Sequence, residues 1–495
     1  MTGLRPVHGL ALILGVAPTF RLGHQSFWYD ELFTLFVARQ PWPAVFEQAG
    51  KDGFTPPLYY LLVKLLLAIG IEDAALRLSS VAFGALFLVG LARLATRLGG
   101  ERLATLAVLV TGLSPFFVAM AQELRPYTAF LACATFAVDG FLAWRAREAS
   151  PRAWLVWSLL ATLFSYLGFA IVAAGLAGAV SAPSPRRRGV ALASMLIVVS
   201  ALFAAPGLGK ARFLLEARSA RGQVALSGLG STPFARLLLG GGYRPEPTSD
   251  SRDRSLGAVA EVFGGGLALA GLGLGVAARR KPLAGVAVAL FAAIGCVFIA
   301  DALFGIGVTT RYLSVAFVPF VLTAVLVAAA AGRAGLVLLL ALLAVQGMAL
   351  ERYGFDPGYA RDDWRSATAR LAAMRREGDL VLGVPANHVA VALRQYAPGV
   401  EWLGGFVGRR GEPTYLYREG QSFRGYDFEG QLEEIGPDIA AALRRRIGAR
   451  RVLLISYADD DWHGDTRPIV EAWGGAARAE RFPARETLLI RELLP

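Results

Sequence analysis

The chain has 495 residues, of which 55% are hydrophobic and only 18% are charged. Soluble globular proteins carry about 25% charged residues, so this composition predicts an integral membrane protein and excludes a large soluble enzyme. The formal net charge is +12, but the basic residues lie in short clusters between apolar runs and no nucleic-acid-binding motif accompanies them, so we expect no nucleic acid partner.

Near its start the chain has Arg5 followed by an apolar run over residues 7–20, with no small-x-small cleavage site after it. This pattern predicts an uncleaved first helix with its N-terminus in the cytoplasm. We expect residues 23–76 to form an outer loop. Within this loop the apolar run 58–69 is too short to cross a bilayer and contains Lys64, which predicts a helix lying in the membrane interface.

Further apolar runs alternate with short basic clusters. We interpret as membrane spans the runs 78–94, 103–120, 127–144, two short runs within 154–181 separated near Ser165-Tyr166, 190–205, 257–278, 283–300, 314–331 and 336–350. Placing every arginine cluster in the cytoplasm gives a consistent alternation of about eleven spans, with the C-terminus outside. The sequence therefore predicts a polytopic α-helical membrane domain over residues 1–352.

One predicted outer loop, residues 206–256, carries eight lysine and arginine residues. It is long enough to be translocated regardless of its charge, in which case it is simply a solvated loop. Alternatively it is a basic lid over an anionic substrate such as a lipid phosphate. The sequence leaves both interpretations open.

From residue 353 the composition becomes that of a soluble protein. Helical spacing at 362–376, 388–396, 439–447 and about 468–473 alternates with short apolar strand runs at 379–384, 451–457 and 487–490. This alternation predicts a small α/β domain over residues 353–495. The domain has no Gly-rich phosphate loop and no nucleophile motif, so we assign it no chemistry.

On this topology several polar groups reach the same outer surface. They are Asp30-Glu31, Lys51-Asp52, Glu123 and Arg125 with Tyr127, and Thr310-Arg311-Tyr312. Carboxylates and guanidinium groups beside a membrane suit transfer from a lipid phosphate, because a carboxylate takes the proton of an acceptor hydroxyl and fixed cations stabilise the departing phosphate.

Each of these groups also has a structural interpretation. Asp30 or Glu31 caps a surface helix over residues 32–38, where negative charge is favoured. Glu123 and Arg125 form an ion pair at the end of a span. Arg311 beside Tyr312 is an interfacial anchor. The functional interpretation therefore depends on the groups sharing one side of the membrane.

The order of these motifs resembles glycosyltransferase family 39 of the GT-C membrane glycosyltransferases, which includes the protein O-mannosyltransferases and the aminoarabinose transferase of lipid A. The matching motifs are Trp28-x-Asp30-Glu31, Pro56-Pro57-Leu58-Tyr59-Tyr60, Arg77-Leu78 and Glu123-x-Arg125-x-Tyr127, with weaker matches at Arg311-Tyr312-Leu313 and Asp363-Trp364-Arg365.

The resemblance implies transfer of a sugar from a polyprenyl-phosphate donor, with inversion, on the extracytoplasmic face of the cell membrane. It implies that Asp30 is the base with Glu31 supporting it, that Glu123 is near a second functional acidic position, and that Arg125 and Arg311 contact the phosphate. The further candidate substrate-binding residues are Lys51, Asp52, Tyr59, Arg77, Tyr127 and Tyr312.

Two positions depart from the family pattern, because Thr55 and the turn at Ser165-Tyr166 stand where many members have histidine. A divalent cation, the identity of the sugar, and the acceptor (protein, lipid or glycan) are therefore left open. A transporter or flippase for a lipid-linked sugar is the alternative function, but Asp139 and Arg93 are the main charges within the spans and both lie toward the cytoplasmic end. A scaffold acting through the C-terminal domain would leave the outer carboxylates without a role.

Overall fold

A computed structural model of the full chain describes residues 5–51, 55–180, 233–240, 251–277, 281–304, 310–406, 414–418, 433–435, 448, 450–458, 466–483 and 487–494. The chain forms two compact units. The first comprises Met1–Leu22 and Gly53–Phe355, and the second comprises Gly23–Asp52 and Asp356–Pro495. The sequence predicts a single boundary after residue 352, whereas the structure groups residues 23–52 with the C-terminal residues, because side chains of this segment bond to the C-terminal part of the chain.

The first unit is helical almost throughout its described residues. Its helices are Pro6–Val16, Pro57–Ala68, Leu78–Gly112, Pro115–Ala121, Tyr127–Arg145, Arg152–Phe164, Gly168–Val180, Pro233–Leu239, Ser251–Ala277, Lys281–Phe304, Ser314–Ala330 and Arg333–Phe355. Five helical stretches of the described chain are long and apolar enough to cross a membrane, namely Asp73–Gly112, Tyr127–Arg145, Ser255–Ala277, Pro282–Ile299 and Arg333–Phe355. A multi-pass membrane protein is thereby confirmed, whereas the number of eleven spans stays a prediction, since the run 190–205 lies outside the described residues.

The predicted breaks between apolar runs appear in the backbone. The stretch Leu78–Gly112 is interrupted at Gly99 and Gly100, and Gly100 has φ +81° and ψ −172°, a conformation reserved for glycine. The chain therefore breaks between the predicted runs 78–94 and 103–120. The second predicted break lies at Ser165, which is extended and separates helices Arg152–Phe164 and Gly168–Val180.

The first helix packs very closely against the helix that begins at Leu78. A Cβ atom placed on Gly15 would lie 2.4 Å from the Cα atom of Ala85. Small residues at such crossings are typical of helices that associate within a membrane, where close backbone approach replaces the hydrophobic effect as the source of attraction.

The run 58–69, predicted to be an interfacial helix, forms the helix Pro57–Ala68 with Pro57 in its first turn. Proline suits this position because its missing N–H would have no intrahelical acceptor there. Tyr59, Tyr60 and Val63 form its buried face. Its place in the membrane interface stays a prediction.

The basic loop predicted over residues 206–256 is described only in part. Residues 233–239 form a short helix whose apolar side chains, Ala235 and Leu237 to Leu239, are buried. The helix Ser251–Ala277 begins six residues before the predicted span at 257. Most of the basic residues of the loop lie outside the described residues, so the lid interpretation stays a prediction.

The second unit is an α/β domain built on a mixed sheet, which confirms the predicted class. Its strands are β1 Leu380–Val384, β2 Trp402–Phe406, β3 Thr414–Arg418, β4 Glu433–Ile435, β5 Val452–Tyr457, β6 Arg478–Phe482 and β7 Leu488–Leu493. Within the described residues the order is β4-β3-β2-β1-β5-β7-β6. Strand β1 pairs in parallel with both β2 and β5, and the remaining pairs are antiparallel.

The core of this domain lies beside its central strands. Leu382 of β1 and Leu454 of β5 are fully buried and pack with Ile469 and Trp473. The helices of the unit are Tyr29–Arg39, Trp42–Lys51, Trp364–Met374, Ala386–Tyr396 and Arg467–Ala472. The predicted strands at 379–384, 451–457 and 487–490 are confirmed, whereas the predicted helix at 439–447 lies outside the described residues.

Candidate active site

The helix Tyr29–Arg39, here called the acidic helix, carries the two adjacent carboxylates. It begins after Trp28, whose backbone is extended, and the Oε2 atom of Glu31 accepts a hydrogen bond from the backbone nitrogen of Trp28 at 3.2 Å. Glutamate at the third helical position satisfies a backbone donor that the helix leaves unpaired, and its charge is favourable at a helix N-terminus. The predicted capping interpretation is therefore confirmed for Glu31.

The acidic helix is not the surface helix that the capping interpretation assumed. All but Phe36 and Arg39 of its residues are buried, including Asp30 at 7% exposure and Glu31 at 0%. Buried carboxylates are costly unless other groups hold them, and they are concentrated at functional sites. Their burial favours a built site over a solvated pair of charges.

The chain entering the acidic helix is fixed by residues from the C-terminal part of the same unit. The backbone nitrogen of Phe27 donates to the Tyr396 hydroxyl at 2.8 Å. The Ser26 hydroxyl donates to the backbone oxygen of Asp362 at 2.6 Å. The guanidinium of Arg361 lies 4.2 Å from the centre of the Trp28 ring, within the range of a cation–π contact. Three contacts thus fix the residues that lead into the acidic helix.

In the first unit, Arg125 lies in the loop between the helices Pro115–Ala121 and Tyr127–Arg145, and only 4% of it is exposed. Its Nη2 atom donates to the Thr55 hydroxyl at 3.2 Å. Its guanidinium lies 5.8 Å from the centre of the Tyr127 ring. An arginine keeps its positive charge even when it is buried, and in a site of low dielectric that charge acts strongly on an anion.

Ser80 joins Arg125 to the helix Pro57–Ala68. Its hydroxyl lies 3.1 Å from the Tyr59 hydroxyl and donates to the backbone oxygen of Arg125 at 3.3 Å, and its backbone oxygen accepts from Thr128 at 2.9 Å. The structure therefore brings together Tyr59, Arg125 and, through its ring, Tyr127. Sequence reasoning missed Ser80 and gave Thr55 no contact, although Ser80 follows the Arg77-Leu78 motif by only two residues.

Glu123 and Arg77 are also buried in the first unit, at 5% and 3% exposure. The loop that carries Glu123 is fixed by Gln122, whose amide nitrogen donates to the backbone oxygens of Pro18 and Phe20, each at 2.9 Å. Arg77 donates from Nη1 to the backbone oxygen of Leu22 at 2.9 Å. Arg77 thus has a structural contact, and its predicted binding of substrate stays a prediction.

Arg311 lies three residues before the start of the helix Ser314–Ala330, with its guanidinium 5.6 Å from the centre of the buried Tyr312 ring. This contact fits the interfacial anchor and the phosphate contact equally. Lys51 ends the helix Trp42–Lys51, but its side chain and the whole of Asp52 lie outside the described residues.

Asp139 pairs with two arginines of the neighbouring helical stretch, whereas Glu261, in the span Ser255–Ala277, accepts a hydrogen bond from the backbone nitrogen of Ala235. Asp139 accepts from Nε of Arg97 at 2.7 Å and from Nη2 of Arg93 at 3.3 Å, and Arg97 also bonds to Glu148. Within the described ranges no group of three or more His, Cys, Asp or Glu side chains is placed to hold a metal ion. The described residues therefore provide no set of ligands for the divalent cation that the sequence leaves open.

Three solved structures are similar to the chain. ArnT from Cupriavidus metallidurans in the apo state has a TM-score of 0.45 and 14% identity, covering 99% of this chain and 97% of that chain. ArnT from the same organism bound to undecaprenyl phosphate has a TM-score of 0.40 and 13% identity, covering 98% and 97%. The Archaeoglobus fulgidus oligosaccharyltransferase in complex with zinc and sulfate has a TM-score of 0.43 and 13% identity, covering 77% and 61%.

No protein-family model and no curated protein matches the chain.

Proposed function

We propose that the protein is a membrane glycosyltransferase that moves a sugar from a polyprenyl-phosphate donor to an acceptor hydroxyl on the extracytoplasmic face, with inversion at the anomeric carbon. The observation that carries the proposal is the buried Asp30 at the start of the acidic helix. Its neighbour Glu31 bonds the helix backbone, so the two adjacent carboxylates differ in environment.

In the proposed reaction Asp30 takes the proton of the acceptor hydroxyl. The hydroxyl oxygen then forms a bond to the anomeric carbon from the face opposite the phosphate, and the bond from that carbon to the phosphate oxygen breaks. The bonding electrons leave with the polyprenyl phosphate. Because phosphate is a stable anion, no acid need protonate it, so one base suffices, in contrast to the paired carboxylates of glycoside hydrolysis.

Arg125 and Arg311 are the proposed contacts of the phosphate. Guanidinium groups suit this role because they present several donors in one plane and remain charged at all physiological pH values. Arg125 supports the proposal best, since it is buried and oriented by Thr55. We assign Tyr59, Tyr127, Glu123 and Tyr312 to the surroundings of the substrate on the same basis of motif and burial.

The alternative function of a transporter gains no support from Asp139 and Arg93, the span charges considered for it. Asp139 is bonded by two arginines, so its presence is explained by an ion cluster without a transport path. We therefore propose the transferase alone.

The test uses the purified full chain in lipid nanodiscs with a panel of radiolabelled undecaprenyl-phosphate sugars, since undecaprenyl phosphate is present in one of the similar structures. We expect Asp30→Asn to reduce transfer about a thousandfold, as loss of a general base does. The matched control is Asp73→Asn, an exposed aspartate that we expect to change the rate less than twofold.

Two results would contradict the proposal. The first is a normal rate for Asp30→Asn, which would exclude Asp30 as the base. The second is movement of intact lipid-linked sugar across sealed vesicles without release of undecaprenyl phosphate, which would identify a transporter.

A further inference from the structure

The acidic helix bonds to residues that come more than three hundred positions later in the sequence. The contact from Ser26 to Asp362 spans 336 residues and that from Phe27 to Tyr396 spans 369 residues. All four residues belong to the second compact unit. The α/β domain, to which the sequence assigns no chemistry, therefore includes the segment that carries the proposed base.

A chain of contacts runs from the start of the acidic helix through this domain. The Tyr29 ring stacks on the His388 ring, with centroids 3.6 Å apart and an angle of 10° between the planes. Nδ1 of His388 lies 2.9 Å from the Tyr457 hydroxyl, which donates to Oδ2 of Asp362 at 3.0 Å. The backbone oxygen of Asp362 accepts from Ser26, three residues before Tyr29. The contacts thus close a ring around the start of the helix.

The positions of the protons in this closed set of contacts can be worked out from the Tyr457 hydroxyl. A tyrosine hydroxyl has one proton, and that of Tyr457 is given to the Asp362 carboxylate. Tyr457 must then accept from His388, so Nδ1 of His388 carries a proton. A buried polar network whose donors and acceptors are matched in this way favours one geometry of the groups that it joins.

The other end of the acidic helix is held by the same helix that presents His388, Ala386–Tyr396. Nη1 of Arg39 donates to the Gln395 side-chain oxygen at 2.7 Å. The Arg394 guanidinium lies 5.1 Å from the centre of the Phe36 ring. Asp30 therefore lies between residues at the two ends of the acidic helix, Tyr29 and Arg39, that both contact the helix Ala386–Tyr396.

We propose that the C-terminal α/β domain positions the catalytic carboxylate, and that His388, Tyr457 and Asp362 are positioning residues for Asp30. The inference rests on the proposed function, in which Asp30 is the base. A base must be within hydrogen-bond reach of the proton it takes, and an error of about 1 Å in such a geometry can reduce the rate about a hundredfold. Asp362 and Tyr457 are each only 4% exposed. Because buried polar groups often contribute little net stability, their presence here fits a demand for a defined geometry.

The test compares full-length variants in nanodiscs. Tyr457→Phe keeps the ring but removes both hydrogen bonds, and His388→Phe keeps the stack on Tyr29 but removes the bond to Tyr457. We expect each to reduce kcat between about tenfold and a hundredfold while changing KM for the donor less than twofold. Asp362→Asn retains an acceptor for Tyr457, so we expect it to retain more activity than Asp362→Ala.

A second measurement does not depend on activity. Hydrogen–deuterium exchange of the amides of residues 29–39 should become about tenfold faster in Tyr457→Phe, because the helix opens locally more often. The control is Arg370→Met, which removes the ion pair from Arg370 to Glu480 in the same domain, away from the acidic helix. We expect this control to leave kcat and the exchange of residues 29–39 unchanged.

A Tyr457→Phe variant with normal kcat and normal exchange at 29–39 would overturn the inference. Uniformly faster exchange throughout the domain, matched by Arg370→Met, would also overturn it, since the network would then act on stability alone. If Asp30→Asn is fully active but Tyr457→Phe loosens residues 29–39 selectively, the assignment of the base fails while the positioning of the helix stands.

Discussion

The carboxylate of Glu31 accepts a hydrogen bond from the backbone nitrogen of Trp28, with 3.2 Å between Oε2 and N. This bond gives the two neighbouring acidic residues different tasks, because the Glu31 oxygen completes the first turn of the helix that carries Asp30. The two carboxylates are therefore not equivalent: Glu31 has a structural role, and Asp30 is the proposed base.

The two tasks can be separated by substitution at Glu31. Glu31→Ala should lower the free energy of unfolding by about 1 kcal/mol, since it removes a capping acceptor. Glu31→Gln keeps a side-chain oxygen at the same place, so we expect it to retain most of this stability and to transfer sugar within about tenfold of the wild-type rate. Thermal denaturation and initial rates measure the two effects. Equal inactivity of Glu31→Gln and Asp30→Asn at wild-type stability would show that the Glu31 charge takes part in the reaction.

Arg311→Ala should raise KM for the donor between about tenfold and a hundredfold, which corresponds to a lost charge-assisted hydrogen bond. Its kcat at saturating donor should change less, if the contact is made equally in the bound donor and the transition state. The control is Arg333→Ala, an exposed arginine at the start of the helix Arg333–Phe355. An unchanged KM in Arg311→Ala would favour the interfacial anchor over the phosphate contact.

Asp139→Asn should destabilise the protein without changing catalysis. Asp139 is 4% exposed and serves two arginines. Removing one partner of a buried pair is strongly destabilising, but Arg93 and Arg97 are partly exposed, so we expect a loss of about 2 kcal/mol. Glu148→Gln removes the exposed partner of Arg97 and should cost less than about 1 kcal/mol. A stable Asp139→Asn protein that had lost its function would instead support a transport path.

Gly100→Ala should destabilise the break between the two halves of the stretch Leu78–Gly112. The φ and ψ angles of Gly100 are rarely adopted by any other residue type. Holding an alanine in this conformation should lower the free energy of unfolding by about 1 to 3 kcal/mol. Gly266→Ala is the matched control, since no atom lies within 4 Å of its added Cβ and it is inside a helix. We expect the control to be neutral or stabilising by up to about 1 kcal/mol, because alanine favours helix. Expression level and thermal denaturation distinguish the two variants.

Local features of the fold are well predicted from the sequence. The breaks near Gly100 and Ser165, the helix that begins at Pro57, and the strands β1, β5 and β7 all follow from periodicity and from residues with restricted backbone conformations. These signals are contained within a few neighbouring residues, so a single sequence displays them. The strands β2 and β6 were missed because one contains two glycines and the other is mostly polar at an edge of the sheet.

The environment of the candidate site is less predictable. The motifs identify Asp30 and Arg125, but Ser80 and Thr55 carry no distinctive pattern, although they hold Tyr59 and Arg125 in the structure. The burial of the acidic helix was also missed, because its partners lie far away in the sequence. Such contacts leave no periodicity, and only the folded chain displays them.

The division of the second unit into two distant pieces of sequence has a consequence for biosynthesis. Ser26, just before the acidic helix, leaves the ribosome 336 residues before Asp362 is available to accept its hydrogen bond. At translation rates of about 5 to 20 residues per second, this interval is roughly 20 to 70 s. During that time the acidic helix lacks its final neighbours, so nascent chains should depend on a chaperone or on the translocation machinery at this stage. The proposed base is positioned only after strand β5, which carries Tyr457, has been made.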